Sequence, residues 1–330
     1  MKFLIIGLGS IGKRHIRNLI SLKINPRNIT GFDPRKDRVK EVKAYGIESF
    51  ISSLNKIKEN EFDGAFICSP TSLHIKQAIL LAKKNINLFI EKPLDSKISN
   101  VNKLIKIQKQ KKIKILITYP FRFSDHGNFF KKLVKNNILG KPIYFKGEFS
   151  EYLPDWHPYE KYNSFYMAKK SMGGGSILDQ SHILDMAHYV FGDFSKVINC
   201  FNAKISKLKV NSDDIADIVL HTKNGVYGTI HQDMFGREHK KYMDVYCEKG
   251  NIQWNVYDCS VTVYNAINKK YKKHKFKIDH NHMYINQTKH IFDIIKKNIK
   301  PRISLSDGLH TLNTILKAEA KSKLNKPIKI

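Results

Sequence analysis

The chain has little cysteine and no paired cysteine. Cys68, Cys200, Cys247 and Cys259 are scattered over 330 residues without a Cys-x-x-Cys spacing. That excludes a zinc ribbon, argues against a disulfide framework, and points to reduced thiols in a cytoplasmic protein. No apolar run approaches the roughly 18–20 residues of a membrane span. The apolar opening MKFLIIGLGS is broken by glycines and lacks a small-residue cleavage site, so it reads as a first strand rather than a signal peptide. Acidic residues are also scarce, 29 against 58 Lys and Arg, for a net charge of +29. Such a charge fits an anionic partner, either nucleic acid, a membrane surface or a phosphorylated substrate. It equally fits a Lys-, Ile- and Asn-rich chain with lysines spread over solvated faces. The lysines are dispersed, with small clusters such as Lys111–Lys112 and Lys269–Lys275, and no nucleic-acid-reading motif accompanies them. We therefore expect neither a nucleic-acid nor a membrane partner, and keep a phosphate-bearing substrate as the second reading of the charge.

What is present is a foldable core, with 42% hydrophobic and 11% aromatic residues. The length suits two domains, because single cores rarely grow past about 250–300 residues. We place a first domain at 1–120 and a second at 121–330, whose last helix can pack back on the first.

Residues 1–120 alternate strand and helix. Met1–Ile6 is a continuous apolar run, the pattern of a strand buried on both faces. Gly7-Leu8-Gly9-Ser10-Ile11-Gly12 follows, opening a helix with Ile11, His15, Ile16, Leu19 and Ile20 on one face. A second strand, Asn28–Phe32, ends at Asp33. A glycine triplet after a strand, opening a helix, with an acid about 20 residues on, is the fingerprint of a dinucleotide site. Gly7 permits the tight turn, Gly9 lets the backbone approach a pyrophosphate, and Gly12 lets the helix pack close to the strand. The N–H groups of Ser10, Ile11 and Gly12 face the phosphates, and Asp33 accepts from the ribose hydroxyls. A carboxylate there favours NAD. Arg35, two residues on, could instead meet a 2′-phosphate, which leaves NADP as the alternative. Further strands, Gly64–Cys68 and Asn87–Ile90, run into Ser69-Pro70-Thr71-Ser72-Leu73-His74 and Glu91-Lys92-Pro93. Ligands bind beyond the carboxyl ends of parallel strands, so Ser69, Thr71, His74, Glu91 and Lys92 are assigned to the cofactor.

From about residue 120 the hydrophobic alternation and the turns Lys223-Asn224-Gly225 and Glu248-Lys249-Gly250-Asn251 predict hairpins and a mainly antiparallel, open-faced sheet. The fold class is thus an α/β Rossmann domain joined to an α+β domain. One helix from Ser171–Ser176 to about Phe191 interrupts the strands and carries Asp179, His182 and Asp185 at i, i+3 and i+6, on nearly one face. Gly173–Gly175 before it permit close approach of a ligand. A histidine with a carboxylate one turn away is a general acid/base candidate, because the carboxylate orients and charge-stabilises the ring. No third-ligand cluster marks a metal site, so none is expected.

The order and spacing of these motifs resemble the glucose–fructose oxidoreductase/inositol dehydrogenase (Gfo/Idh/MocA) family over essentially the whole chain. The matching pieces are GLGSIGKRH with His15, Ser69-Pro70-Thr71 with His74, Glu91-Lys92-Pro93, Gly173-Gly174-Gly175 with Leu178-Asp179, His182 and Asp185, then Ser212-Asp213-Asp214, Asn224-Gly225 and Asp307-Gly308-Leu309. The resemblance implies reversible hydride transfer at a hydroxyl-bearing carbon of a sugar, cyclitol or nucleotide sugar, with Lys92 and His182 handling the proton and Asp179 in support. Asp179 and His182 are separated by two residues where many members have three, so either Asp179 or Asp185 orients the ring. Arg122, after the last Rossmann strand, and the aromatic loop Tyr152–Pro158 with Trp156 and His157 are placed at the substrate together with Asp179 and His182. A homodimer or homotetramer is expected. A non-catalytic dinucleotide- or sugar-binding regulator of the same fold is the alternative.

Overall fold

The computed structural model describes residues 1–156 and 160–324. The chain forms two compact units, Met1–Pro120 with Tyr284–Leu309, and Phe121–Met283 with the residues from His310 onward. The single boundary expected at residue 120 is therefore revised, since Tyr284–Leu309 returns to the first unit. Among the described residues no helix is long and apolar enough to cross a membrane.

The first unit holds β1 (Phe3–Ile6), α1 (Ser10–Ser21), β2 (Ile29–Phe32), α2 (Lys36–Lys43), β3 (Ser49–Phe50), β4 (Gly64–Ile67), α3 (His74–Lys83), β5 (Asn87–Glu91), α4 (Val101–Lys111) and β6 (Ile115–Thr118). Its strands run parallel in the order β3-β2-β1-β4-β5-β6. Phe-Leu-Ile-Ile, Gly-Ala-Phe-Ile and Ile-Leu-Ile-Thr are wholly buried, as strands covered on both faces must be. Strand order reverses beside β1, so the carboxyl ends of β1 and β4 form the switch point where such sheets bind ligands.

The second unit holds α5 (Asp125–Lys135), β7 (Pro142–Tyr152), α6 (Ser176–Asp179), α7 (His182–Phe191), β8 (Phe194–Ala203), β9 (Ile215–Thr222), β10 (Tyr227–Asp233), β11 (Phe235–Cys247), β12 (Gly250–Asn255), β13 (Ser260–Asn265) and β14 (Lys270–Lys275). The sheet order is β14-β13-β12-β11-β7-β10-β9-β8, antiparallel except for β7 beside β10. One face packs under α5 and α7. Phe145 of β7 stacks on Phe191 of α7 at 4.7 Å, and the fully buried Trp254 of β12 stacks on Phe130 of α5 at 6.0 Å. The other face carries Tyr227 and Tyr246, both exposed.

Helix α8 (His282–Lys297) and helix α9 (Leu305–Leu324) follow. Phe292 of α8 stacks on Phe3 of β1. Helix α9 starts two residues before Asp307, because Ser304 and Asp307 cap each other: Asp307 accepts the Ser304 N–H at 2.8 Å and Ser304 Oγ accepts the Asp307 N–H at 3.2 Å.

Candidate functional site

In the first unit the glycine loop is built as a phosphate cradle. Gly7, at φ +88°, donates its N–H to the Phe32 carbonyl. Gly9 precedes α1 and offers no side-chain cap, and the first turn holds no acidic residue. The N–H groups of Ser10, Ile11 and Gly12 are thus the uncapped donors that accept an anion at a helix start. A Cβ on Gly12 would lie 2.0 Å from the Gly7 carbonyl oxygen, so only glycine lets the helix begin this close to β1. Asp33 is fastened to the loop, accepting from the N–H groups of Leu8 at 2.8 Å and Arg35 at 2.9 Å. Each carboxylate oxygen keeps a further lone pair for a ribose hydroxyl. These residues fit a dinucleotide.

Arg35 does not turn to that site. Its guanidinium pairs with Asp37, and this pair holds the Asp37 carboxyl down at about 2. The cation beside the cradle is Arg38 of α2, one turn on, 3.7 Å from Asp33 and close enough that a Cβ on Gly9 would meet it at 3.2 Å. Only the helical register, not the motif, distinguishes the two arginines.

Beyond β4 and β5 the motif residues mostly hold one another. Ser69 donates to Gln77 at 2.6 Å, and Thr71 is buried at the start of a short 3₁₀ turn. His74, expected at the cofactor, is buried against two carbonyls, those of Ser69 and Pro93. Glu91 is likewise turned inward, 2.8 Å from Nε2 of the buried His15. Burial pushes the Glu91 carboxyl up, but the His15 hydrogen bond and charge, with help from Thr118, hold it below the usual carboxylate range. Lys92, next in the chain, is half-buried at the carboxyl end of β5.

In the second unit the expected single helix is broken. Helix α6 ends at Asp179 and α7 begins at His182. Between them, Gln180 donates to the Asp233 carbonyl and Gln232 donates to the Gln180 carbonyl, each at 2.6 Å. The strand β10 thereby pins the break. Asp179 and His182 consequently stand on separate helices, while His182 and Asp185 keep their three-residue spacing on α7. Asp179 accepts a hydrogen bond from Tyr166. The His182 ring lies 4.9 Å from Phe121 and 6.0 Å from Phe149. Asp185 takes a two-bond grip from Arg122, at 2.9 and 2.7 Å, with both side chains buried. Asp185, expected as one possible orienter of His182, is thus gripped by Arg122, and Arg122, expected at the substrate, has its guanidinium engaged in a buried ion pair. Gly173–Gly175 accommodate the protein itself. A Cβ on Gly174 would meet the Tyr166 and Met167 carbonyls at 2.3 Å, and one on Gly175 would meet Asp213, which caps α6 through Ser176 and Ile177. Trp156 packs on the cluster around Leu153 and lies 6.5 Å from Phe149. His157 lies outside the described residues.

Residues 1–119 match the family model described as oxidoreductase family, NAD-binding Rossmann fold, and residues 129–253 match the GFO/IDH/MocA C-terminal domain. The chain belongs to the Gfo/Idh/MocA family. It is an oxidoreductase with an NAD-binding Rossmann fold. Among relatives, the myo-inositol 2-dehydrogenase of Thermotoga maritima is 25% identical over 321 residues, 93% of this chain and 92% of the relative. The NAD(+)-dependent scyllo-inositol 2-dehydrogenase of Bacillus subtilis is 26% identical over 57% of this chain and 53% of its own length. The solved structure of levoglucosan dehydrogenase with NADH and levoglucosan superposes at TM-score 0.83, with 20% identity and 98% of each chain covered. At that identity it carries the fold alone.

One further cluster in this Gfo/Idh/MocA chain gathers His188, Asp193 and His310. Its hydrogen bonds leave neither histidine a nitrogen lone pair for a cation. His188 Nδ1 faces the Arg122 guanidinium at 3.2 Å, which can only donate, so Nε2 carries the hydrogen that goes to Asp193. His310 Nε2 accepts the Phe194 N–H, so its Nδ1 hydrogen faces Asp193. The Lys223 ammonium, 2.7 Å from Asp193, already supplies the positive charge.

Proposed function

We propose that the protein transfers a hydride, with NAD, to or from a hydroxyl-bearing carbon of a sugar, cyclitol or nucleotide sugar. The observation that carries this reading lies in the first unit: an uncapped helix start with Asp33 fastened to it, and a lysine at the carboxyl end of the same parallel sheet. The relatives' names, inositol and levoglucosan dehydrogenases, support a polyhydroxylated substrate.

NAD supplies the hydride acceptor at its nicotinamide, or the donor when reduced. The N–H groups of Ser10, Ile11 and Gly12 bind the pyrophosphate, and Asp33 binds the ribose hydroxyls. Its carboxylate repels a 2′-phosphate, and Arg38 rather than Arg35 is the cation beside it. The Lys92 ammonium stabilises the alkoxide that develops as the hydroxyl loses its proton. His182 accepts that proton as general base, its ring steered by the Phe121 and Phe149 faces. Asp179, held by Tyr166, acts in support of Lys92 and His182. The Trp156 face suits a sugar ring. The half-exposed tyrosines of the second sheet support a homodimer or homotetramer.

The test incubates the protein with NAD or NADP and a panel of inositols, levoglucosan and nucleotide sugars, following the absorbance of reduced nicotinamide. Reduction of NAD by at least one polyol, with NADP poorer, is expected. Tight NAD binding without reduction by any panel member would overturn the reading.

A further inference from the structure

His74 faces only acceptors. It is the first residue of α3 and 1% exposed. Its Nδ1 lies 3.0 Å from the Pro93 carbonyl oxygen and its Nε2 lies 2.9 Å from the Ser69 carbonyl oxygen. A carbonyl oxygen cannot donate, and a neutral imidazole carries one hydrogen. A neutral ring would therefore satisfy one carbonyl and set its bare nitrogen against the lone pairs of the other, in a site closed to water. A ring with hydrogen on both nitrogens satisfies both.

We propose that His74 is a positioning residue with both ring nitrogens bearing hydrogen, which staples the loop after β4 to the Lys92–Pro93 turn after β5 and so fixes where Lys92 stands. The two carbonyls belong to the two loops that leave the carboxyl ends of neighbouring strands, since β4 and β5 pair directly. Pro93 adjoins Lys92, so its carbonyl is the nearest backbone handle on the lysine that leaves the lysine side chain untouched. Asp95, two residues after Pro93 and 6% exposed, ties the turn after β5 to the start of α3 as well. Its Oδ2 accepts the N–H of Ile75, the residue after His74, and its Oδ1 accepts the N–H groups of Ser96 and Lys97. The same tripeptide is gripped from its other side by His15 of α1 through Glu91. The strands thus present Lys92 between two histidine-held neighbours, one reaching from each of the helices that follow β1 and β4.

Only the role of Lys92 rests on the function proposed above. The hydrogen content of the ring and the stapling do not. The first experiment is therefore a ¹⁵N–¹H correlation spectrum of the whole protein labelled at histidine nitrogen, with the His74 signals identified by their loss in His74→Gln. Hydrogen on both ring nitrogens is expected from the two carbonyl contacts. A neutral ring with one bare nitrogen overturns the proposal, even if the variants fail to fold. The second compares hydrogen exchange in wild type, His74→Gln and His74→Phe. Exchange in residues 69–73 and 92–96 should rise together in His74→Phe by about tenfold or more, the loss of a charge-assisted bond. His74→Gln, which keeps an amide donor, should be intermediate, and β1 should be unchanged. A rise spread equally over all strands, or none, contradicts the staple. With any polyol that turns over, His74→Phe should lower kcat while the NADH Kd stays within about threefold. If no polyol turns over, the function above fails while the spectrum and exchange still decide this inference.

Discussion

Acid should weaken the second unit through one residue, His126. The Trp254 indole N–H donates to His126 Nδ1 at 2.5 Å, so that nitrogen is an acceptor and the ring is held neutral, 3% exposed. Burial, then the charge of His280, pulls its value down from 6.5 to about 4. The sign follows from linkage. The unfolded chain takes up a proton near its ordinary value and the folded chain does not. The contribution is therefore fully present above about pH 6.5 and is lost as pH falls toward 4, worth about 3 kcal/mol over that window. Urea unfolding followed by Trp254 fluorescence, in a Trp156→Phe background, reads this unit directly. The reference variant is His126→Gln, whose amide oxygen still accepts from Trp254 but does not titrate. Wild type should lose about 3 kcal/mol more than the variant between neutral pH and pH 4. Equal losses in the two proteins would refute the reasoning.

Three other perturbations follow from the geometry. Gly12→Ala places a methyl 2.0 Å from the Gly7 carbonyl; NAD titration should show at least a hundredfold weaker binding, roughly 3 kcal/mol, with the Trp254 unfolding transition unchanged. Asp185→Asn strands the buried Arg122 charge and should cost about 3–5 kcal/mol in urea, whereas Arg122→Met with Asp185→Leu should recover most of it. His231 is raised to about 10 by hydrogen bonds from its ring to Asp217 and Asp233. Its contribution is present below about pH 6.5 and lost as pH rises through 10; with partial exposure discounted it is worth roughly 2 kcal/mol, and Asp217→Asn should flatten thermal-unfolding curves across that range.

Much of the first unit was legible because its signals are local. Buried parallel strands are apolar runs, and the glycine loop, Asp33 and Glu91-Lys92-Pro93 sit where strand ends put them. The second unit was legible as alternation and turns, except for β14, whose Lys-Tyr-Lys-Lys-His-Lys has no apolar face and is held by hairpin pairing and by Tyr271 against Tyr264 at 4.5 Å. β3 is two residues long, and the caps of α5 and α8, Ser124 and Asp279, are single polar residues with no glycine motif beside a strand end to mark them. The partners of the site residues were not legible where they come from far along the chain. Nothing local tells that Arg122 will meet Asp185, that Tyr166 will meet Asp179, or that Gln232 will break the helix before His182. His74 was placed at the cofactor by its loop, but its fate was set by the Pro93 carbonyl nineteen residues on.

The most direct test of the central claim replaces Lys92. With the polyol that reduces NAD fastest, Lys92→Met should bind NADH within about threefold of wild type and lose about 10²–10⁴-fold in single-turnover hydride transfer. Wild-type transfer rates in Lys92→Met, with NADH bound, would show that the chemistry resides elsewhere.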